Sequence, residues 1–199
     1  LIDTSPDLRK QLIDNKIDNI DSVIYTHSHA DHIHGINDLR AISLINKKKI
    51  PIYSDEITLN ILKNSFSYLF TKDVKHGYEP ILNSNKIETK FFEINGFKVE
   101  AIKQNHGNID SFGFIFDEKI AYNLDVKFFY DKNYFHKIKG IECWFVGCLR
   151  YDEHPSHASY QEVIDWTQIV NANQTFLSHM TCLLYTSPSP RDGTESRMA

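Results

Sequence analysis

Apolar residues along this chain gather in short runs rich in β-formers, separated by stretches in which they recur at helical spacing. The run 22–26 (SVIYT) reads as a strand that stops at a histidine cluster, and the residues after Gly35 (INDLRAISLINKK) read as a helix. Ile50–Ser54 is a short strand by the same reasoning, and 56–70 (EITLNILKNSFSYLF) is helical by its apolar spacing. Residues 71–85 (TKDVKHGYEPILNSN) look like a surface excursion that forms part of a substrate entrance. Strands are predicted at 86–94 and 97–103 around an Asn95-Gly96 turn, the strongest short hairpin signal. A second pair is predicted at 111–116 and 120–124, turning at 117–119. The continuous apolar run 141–148 (IECWFVGC) has the character of a strand covered on both faces. Tyr160–Val170 is amphipathic, and 175–178 follows as a last strand. Strands mixed with helices, without repeats or a linker, predict a layered α/β domain.

Composition narrows the picture further. At 199 residues and 41% hydrophobic, the chain can bury one good core, so one domain over 1–181 is expected. A net charge of −4 with mixed signs gives no basic footprint for nucleic acid. No apolar stretch approaches the roughly 18 residues of a membrane span, and no signal-peptide pattern is present. Three cysteines do not make a disulfide framework, which favours a reducing cytoplasm. Both ends look cut. Leu1-Ile2-Asp3 reads as the end of a strand whose beginning is missing. From Cys182 onward the sequence (CLLYTSPSPRDGTESRMA) loses its Lys/Asn/Ile-rich character, and it can be encoded by a transposase mosaic end and sequencing adapter. Residues 182–199 are therefore read as translated adapter rather than native chain.

The chemistry concentrates at His27-Ser28-His29-Ala30-Asp31-His32. On an extended chain the i and i+2 side chains share a face, so His27 and His29 can grip one metal ion. A turn after the strand lets Asp31 and His32 reach a second. Imidazole and carboxylate donors suit zinc, manganese or iron. The strand before the cluster and the helix start after it set it apart from a solvated histidine-rich loop.

The stretch THSHADHIHG is similar to the THxHxDHxxG signature of the metallo-β-lactamase superfamily. That resemblance implies an αββα sandwich, here truncated at both ends, with two divalent metal ions (Zn or Mn) at one edge of two packed sheets. It also implies three later ligands at strand ends. The candidates are His106 in Gln104-Asn105-His106-Gly107, Asp125 in Tyr122-Asn123-Leu124-Asp125, and His179 in Phe176-Leu177-Ser178-His179. By resemblance, His27, His29 and His106 hold one ion, Asp31, His32 and His179 the other, and Asp125 bridges them. Asp3 is a candidate acid for orienting a ligand histidine. The best-known β-lactam hydrolases carry a cysteine where Asp125 stands, whereas phosphodiesterase, thioesterase and nuclease branches carry an acid. Cys143 and Cys148 lie in an apolar strand and read as core, so antibiotic hydrolysis is not expected.

Within that superfamily, Asp152-Glu153-His154-Pro155-Ser156-His157-Ala158-Ser159 resembles the loop of the branch that hydrolyses phosphoribosyl 1,2-cyclic phosphate. The segments 1–9 and 106–114 match that branch as well. The resemblance implies a phosphodiesterase acting on small or cyclic phosphodiesters by attack of a metal-bridging hydroxide. His157 would donate a proton to the leaving alkoxide, and it is counted with Asp31 among the catalytic residues. The plainer reading of His157 is that it begins the 160–170 helix, with Ser159 as cap. His34 and His154 read as supporting or solvent-facing residues, His76 and His136 as surface. Two rival classes stay open: a thioesterase, lactonase or tRNA 3′-end nuclease of the same fold, and a non-hydrolytic di-iron or scaffold relative. The expected partner is a small-molecule phosphodiester, with no membrane or nucleic acid; a homodimer is one candidate assembly.

Overall fold

The computed structural model describes residues 1–181, which fall into two compact units with the boundary at Gly96. The reading of 182–199 as adapter lies outside the described residues. Among the described residues no helix is long and apolar enough to cross a membrane.

The first unit is built on three parallel strands, β1 (Val23–Ile24), β2 (Ile50–Ser54) and β3 (Leu82–Lys86), in that order. Ile2 bridges to Ile24 in parallel, so the first residues of the chain do continue this sheet. Four helices belong to the unit: α1 (Leu8–Asp14), α2 (Ala30–Ile33), α3 (Leu39–Asn46) and α4 (Glu56–Ser65). The apolar spacing predicted after Gly35 is met by a 3-10 turn at Ile36–Asp38 running into α3. The predicted 56–70 helix is α4 followed by a 3-10 turn at Ser67–Leu69. Asp55 caps α4 by accepting the Thr58 amide at 2.9 Å. Val23, Ile50 and Ile52 on the sheet pack with Leu39, Leu59 and Leu62 from the helices, all buried.

One strand differs from expectation. Of the predicted 86–94 strand, Lys86 ends an earlier strand, residues 87–90 lie outside any strand, and the rest is β4 (Phe91–Ile94). The regular element lies earlier, as β3, almost all of it inside the 71–85 stretch read as a surface excursion. Its sequence, LNSNK, buries only Leu82 fully. Main-chain pairing to β2 (Ile50↔Leu82 through Ser54↔Lys86) holds it, so its side chains carry no strand pattern.

In the second unit, β5 (Phe97–His106), β6 (Ile109–Phe116), β7 (Ile120–Asn123), β9 (Cys143–Gly147) and β10 (Gln174–Ser178) are ordered β10-β9-β7-β6-β5. A two-residue β8 (Phe128–Phe129) lies against β5. Asn95 and Gly96 hold φ of 50° and 83°, the double left-handed geometry of the tight turn expected there. β7, β9 and β10 run parallel. On β9, Trp144 and Val146 are fully buried while Phe145 on the other face is half-covered, stacked on Phe176 at 4.9 Å. Among the described residues its helices are α5 (Tyr134–Lys137), which the sequence pattern did not predict, and α6 (Tyr160–Val170), which it did. Cys148 is buried as expected, and Cys143 is only half-buried.

Candidate metal centre

In the first unit, β1 delivers the chain to His27 and the short α2 turns Asp31 and His32 back toward it. The His27 ring lies 4.6 Å from His29 and 4.2 Å from His32, centroid to centroid. His32 Nε2 is 3.5 Å from Asp31 Oδ2. His27 and His32 are buried, while His29 and Asp31 face outward. Asp3 is the residue that organises them. Its carboxylate accepts the Thr26 amide at 2.8 Å, the Thr26 hydroxyl at 2.8 Å and His32 Nδ1 at 2.7 Å. Because the Thr26 hydroxyl gives its proton to Asp3, its oxygen accepts from His27 Nδ1, 2.9 Å away. The return of α2 toward the N-terminal segment explains the last residue of the THSHADHIHG stretch. The Gly35 amide donates to Thr4 O at 2.9 Å, and a Cβ on Gly35 would lie 2.0 Å from Ser5 O.

In the second unit, His106 ends β5, Asp125 follows β7 and His179 follows β10. The Asp125 carboxylate, 3% exposed, places Oδ2 3.2 Å from His106 Nε2 and Oδ1 2.9 Å from His179 Nε2. His106 Nδ1 donates to the Ser156 carbonyl at 2.8 Å. His179 adopts a left-handed backbone, φ 58°, a conformation rare for a non-glycine residue and often held at functional positions. His157 is 9% exposed, with its ring 4.6 Å from His106 and 5.2 Å from His179. Its ligand atom, with those of Asp125 and His179, falls in a group spanning no more than 4.8 Å, close enough to share a cation. The plainer reading of this segment also holds: Ser159 caps α6 through a full capping box with Glu162.

The donor set fits divalent metal. His27, His32 and His106 each give Nδ1–H to a protein acceptor, which leaves Nε2 with its lone pair for a cation. Burial pushes His157 down to about 4, against the opposing pull of Asp125. His34 is exposed beside Phe66, His76 pairs with Asp73 at 2.8 Å, and His136 is exposed on α5. His154 lies 5.0 Å from the His157 ring, and its Nδ1 accepts the Ser156 amide at 3.2 Å.

Sequence reasoning missed Thr26 and the Ser156 carbonyl, as well as Gln104, Ser111 and Asn123, which sit beneath Asp125. The available signal was polarity out of place: Gln104 and Asn123 lie on strands, among positions that are otherwise core.

Comparison with known proteins shows the family. A family model described as the beta-lactamase superfamily domain matches residues 1–180. A crystal structure of a new diphosphatase from the PhnP family superposes with a TM-score of 0.81 and 27% identity, over 100% of this chain and 72% of that one. An octanoyltransferase of Porphyromonas gingivalis is 30% identical over 183 residues, 91% of this chain and 36% of that protein. The chain therefore spans about a third of that relative's length. The anti-Pycsar protein Apyc1 of Paenibacillus harenae is 25% identical over 169 residues, 80% of this chain and 68% of the relative. With the family model matched across nearly all the described residues, the chain belongs to the beta-lactamase superfamily domain family, whose metallo-β-lactamase fold includes metal-dependent hydrolases.

Proposed function

We propose that this chain is a two-metal phosphodiesterase acting on small or cyclic phosphodiesters. By the superfamily signature, His27, His29, Asp31, His32, His106, Asp125 and His179 would hold the two divalent ions. The observation that carries this reading is the Asp125 carboxylate, which turns one oxygen to His106 and the other to His179. The PhnP-family diphosphatase at 27% identity favours phosphoryl chemistry over carbonyl chemistry. When bound, two divalent ions supply the charge that acidifies water and offsets the negative phosphate.

The chain's own residues do the remaining work. Asp3 and Thr26 hold His32 and His27 in the tautomer that presents Nε2, and the Ser156 carbonyl does the same for His106. His157 stands beside His106 and His179, from where it gives a proton to the leaving alkoxide. Burial lowers the pKa of this ring to about 4, and the Asp125 carboxylate opposes that shift.

The test is hydrolysis of bis(p-nitrophenyl) phosphate, an alkyl cyclic phosphate, a diphosphate ester and a thioester by metal-reconstituted protein. Phosphodiesters are expected to be the best substrates; faster thioester cleavage would overturn the reading. His157→Ala is expected to lower turnover of the alkyl substrate by roughly 10²–10⁴. The loss should be much smaller with p-nitrophenolate, which leaves without a proton. Equal losses would make His157 a binding or packing residue.

A further inference from the structure

The main-chain carbonyl of Asp125 is the end point of a buried hydrogen-bond chain within the second unit. The chain starts at Trp144 on β9, whose indole N–H can only donate. It donates to Asn123 Oδ1 at 2.9 Å, and the Tyr134 hydroxyl donates to the same oxygen at 2.8 Å. With Oδ1 fixed as acceptor, Asn123 Nδ2 donates to Gln104 Oε1 at 3.1 Å. That fixes Gln104 Nε2 as donor, 3.1 Å from both Ser111 Oγ and the Asp125 carbonyl. Ser111 accepts from Gln104 and passes its own proton to the same carbonyl at 2.5 Å. No step in the sequence can be reversed without breaking the one before it.

Trp144, Tyr134, Asn123, Gln104 and Ser111 are all completely buried. Gly113 makes room for the chain, and Gly147 makes room for the backbone just before Asp125. A Cβ on Gly113 would lie 2.1 Å from Asn123 Nδ2, and one on Gly147 would lie 1.8 Å from the Leu124 carbonyl. Replacing both partners of a buried hydrogen bond by apolar groups of the same shape is often neutral for stability, so core cohesion alone does not call for this arrangement. What the chain does accomplish is to hold one peptide carbonyl from two directions, next to the carboxylate assigned as the bridging ligand.

We propose that Trp144, Asn123, Gln104 and Ser111 form a positioning device for Asp125 that sets metal affinity. The proposal rests on the reading of Asp125 as a metal ligand. It is tested by cobalt(II) titration of the full chain, following the visible d–d absorbance and competition with a chromophoric chelator. Ser111→Ala and Gln104→Met are each expected to weaken cobalt binding tenfold or more, within the ~10–100-fold typical of groups that orient a ligand. The absorbance bands of the bound ion should shift as well. Val163→Ala, in the same core but outside the chain, serves as the control. It should lower the melting temperature of the metal-free protein while leaving affinity and spectrum unchanged. A loss below tenfold in the two variants, or an equal loss in Val163→Ala, overturns the positioning role. Should Ser111→Ala not fold, Ser111→Cys tests the role through its weaker donor, and wild-type affinity in that variant overturns it. A wild-type chain that takes up no cobalt overturns the metal reading itself, which separates the two failures.

Discussion

Asp3 combines a left-handed backbone, φ 55°, with a buried carboxylate that accepts three hydrogen bonds from Thr26 and His32. Asparagine tolerates the same backbone region but replaces one acceptor oxygen with a donor. Asp3→Asn should therefore fold and yet misorient His32, since either face of its amide meets a donor already in place. Zinc affinity is expected to fall by roughly 10–100-fold, measured by chelator competition. Unchanged affinity would reduce Asp3 to a packing role. Gln104 and Asn123 show the same economy from the opposite side: their amides look misplaced on β5 and β7 until the Asp125 carbonyl supplies their purpose.

At the scale of elements, α6 shows a sequence signal and its structure in close agreement. Ser159 and Glu162 form the capping box, with the Ser159 amide donating to Glu162 Oε2 at 2.7 Å. Ser159→Ala should cost about 1 kcal/mol and lower the melting temperature by roughly 2–4 °C. Metal stoichiometry should stay the same, because the cap serves the helix and His106 is held by the Ser156 carbonyl instead. Elements of this kind, with strong period and a cap, were legible from residues alone, as were β2 and the Asn95-Gly96 turn. β3 was not, because its polar side chains follow from main-chain pairing rather than burial. α1, with only Leu8 and Leu12 buried, was too short for its spacing to stand out. At the site, His27, His29, Asp31 and His32 could be read from their spacing, while His106, Asp125 and His179 came from the family resemblance and Asp3 from the habit of acids to orient ligand histidines. The tautomer roles could not: Thr26 opens the matched signature without showing what its hydroxyl holds, and the Ser156 main-chain carbonyl leaves no mark on the pattern.

For the whole molecule, metal and folding should be linked. A ligand that binds only the folded state at about a hundred times its Kd adds roughly 2.7 kcal/mol. The metal-loaded protein should thus melt about 5–10 °C above the same protein treated with chelator. Coincident melting curves would place the ions outside the folded framework. Within the second unit, the parallel register pairs Asn123 with Val146 and Val146 with Leu177, so Asp125 and His179 each stand two residues beyond the same row. The strands act as rulers that measure out where each ligand begins. Chain length, more than residue identity, is then the quantity under tightest control. Deleting one residue from β7 or β10 would turn Asp125 or His179 to the opposite face and abolish the pair, whereas adding residues at the exposed 74–79 turn should leave it intact.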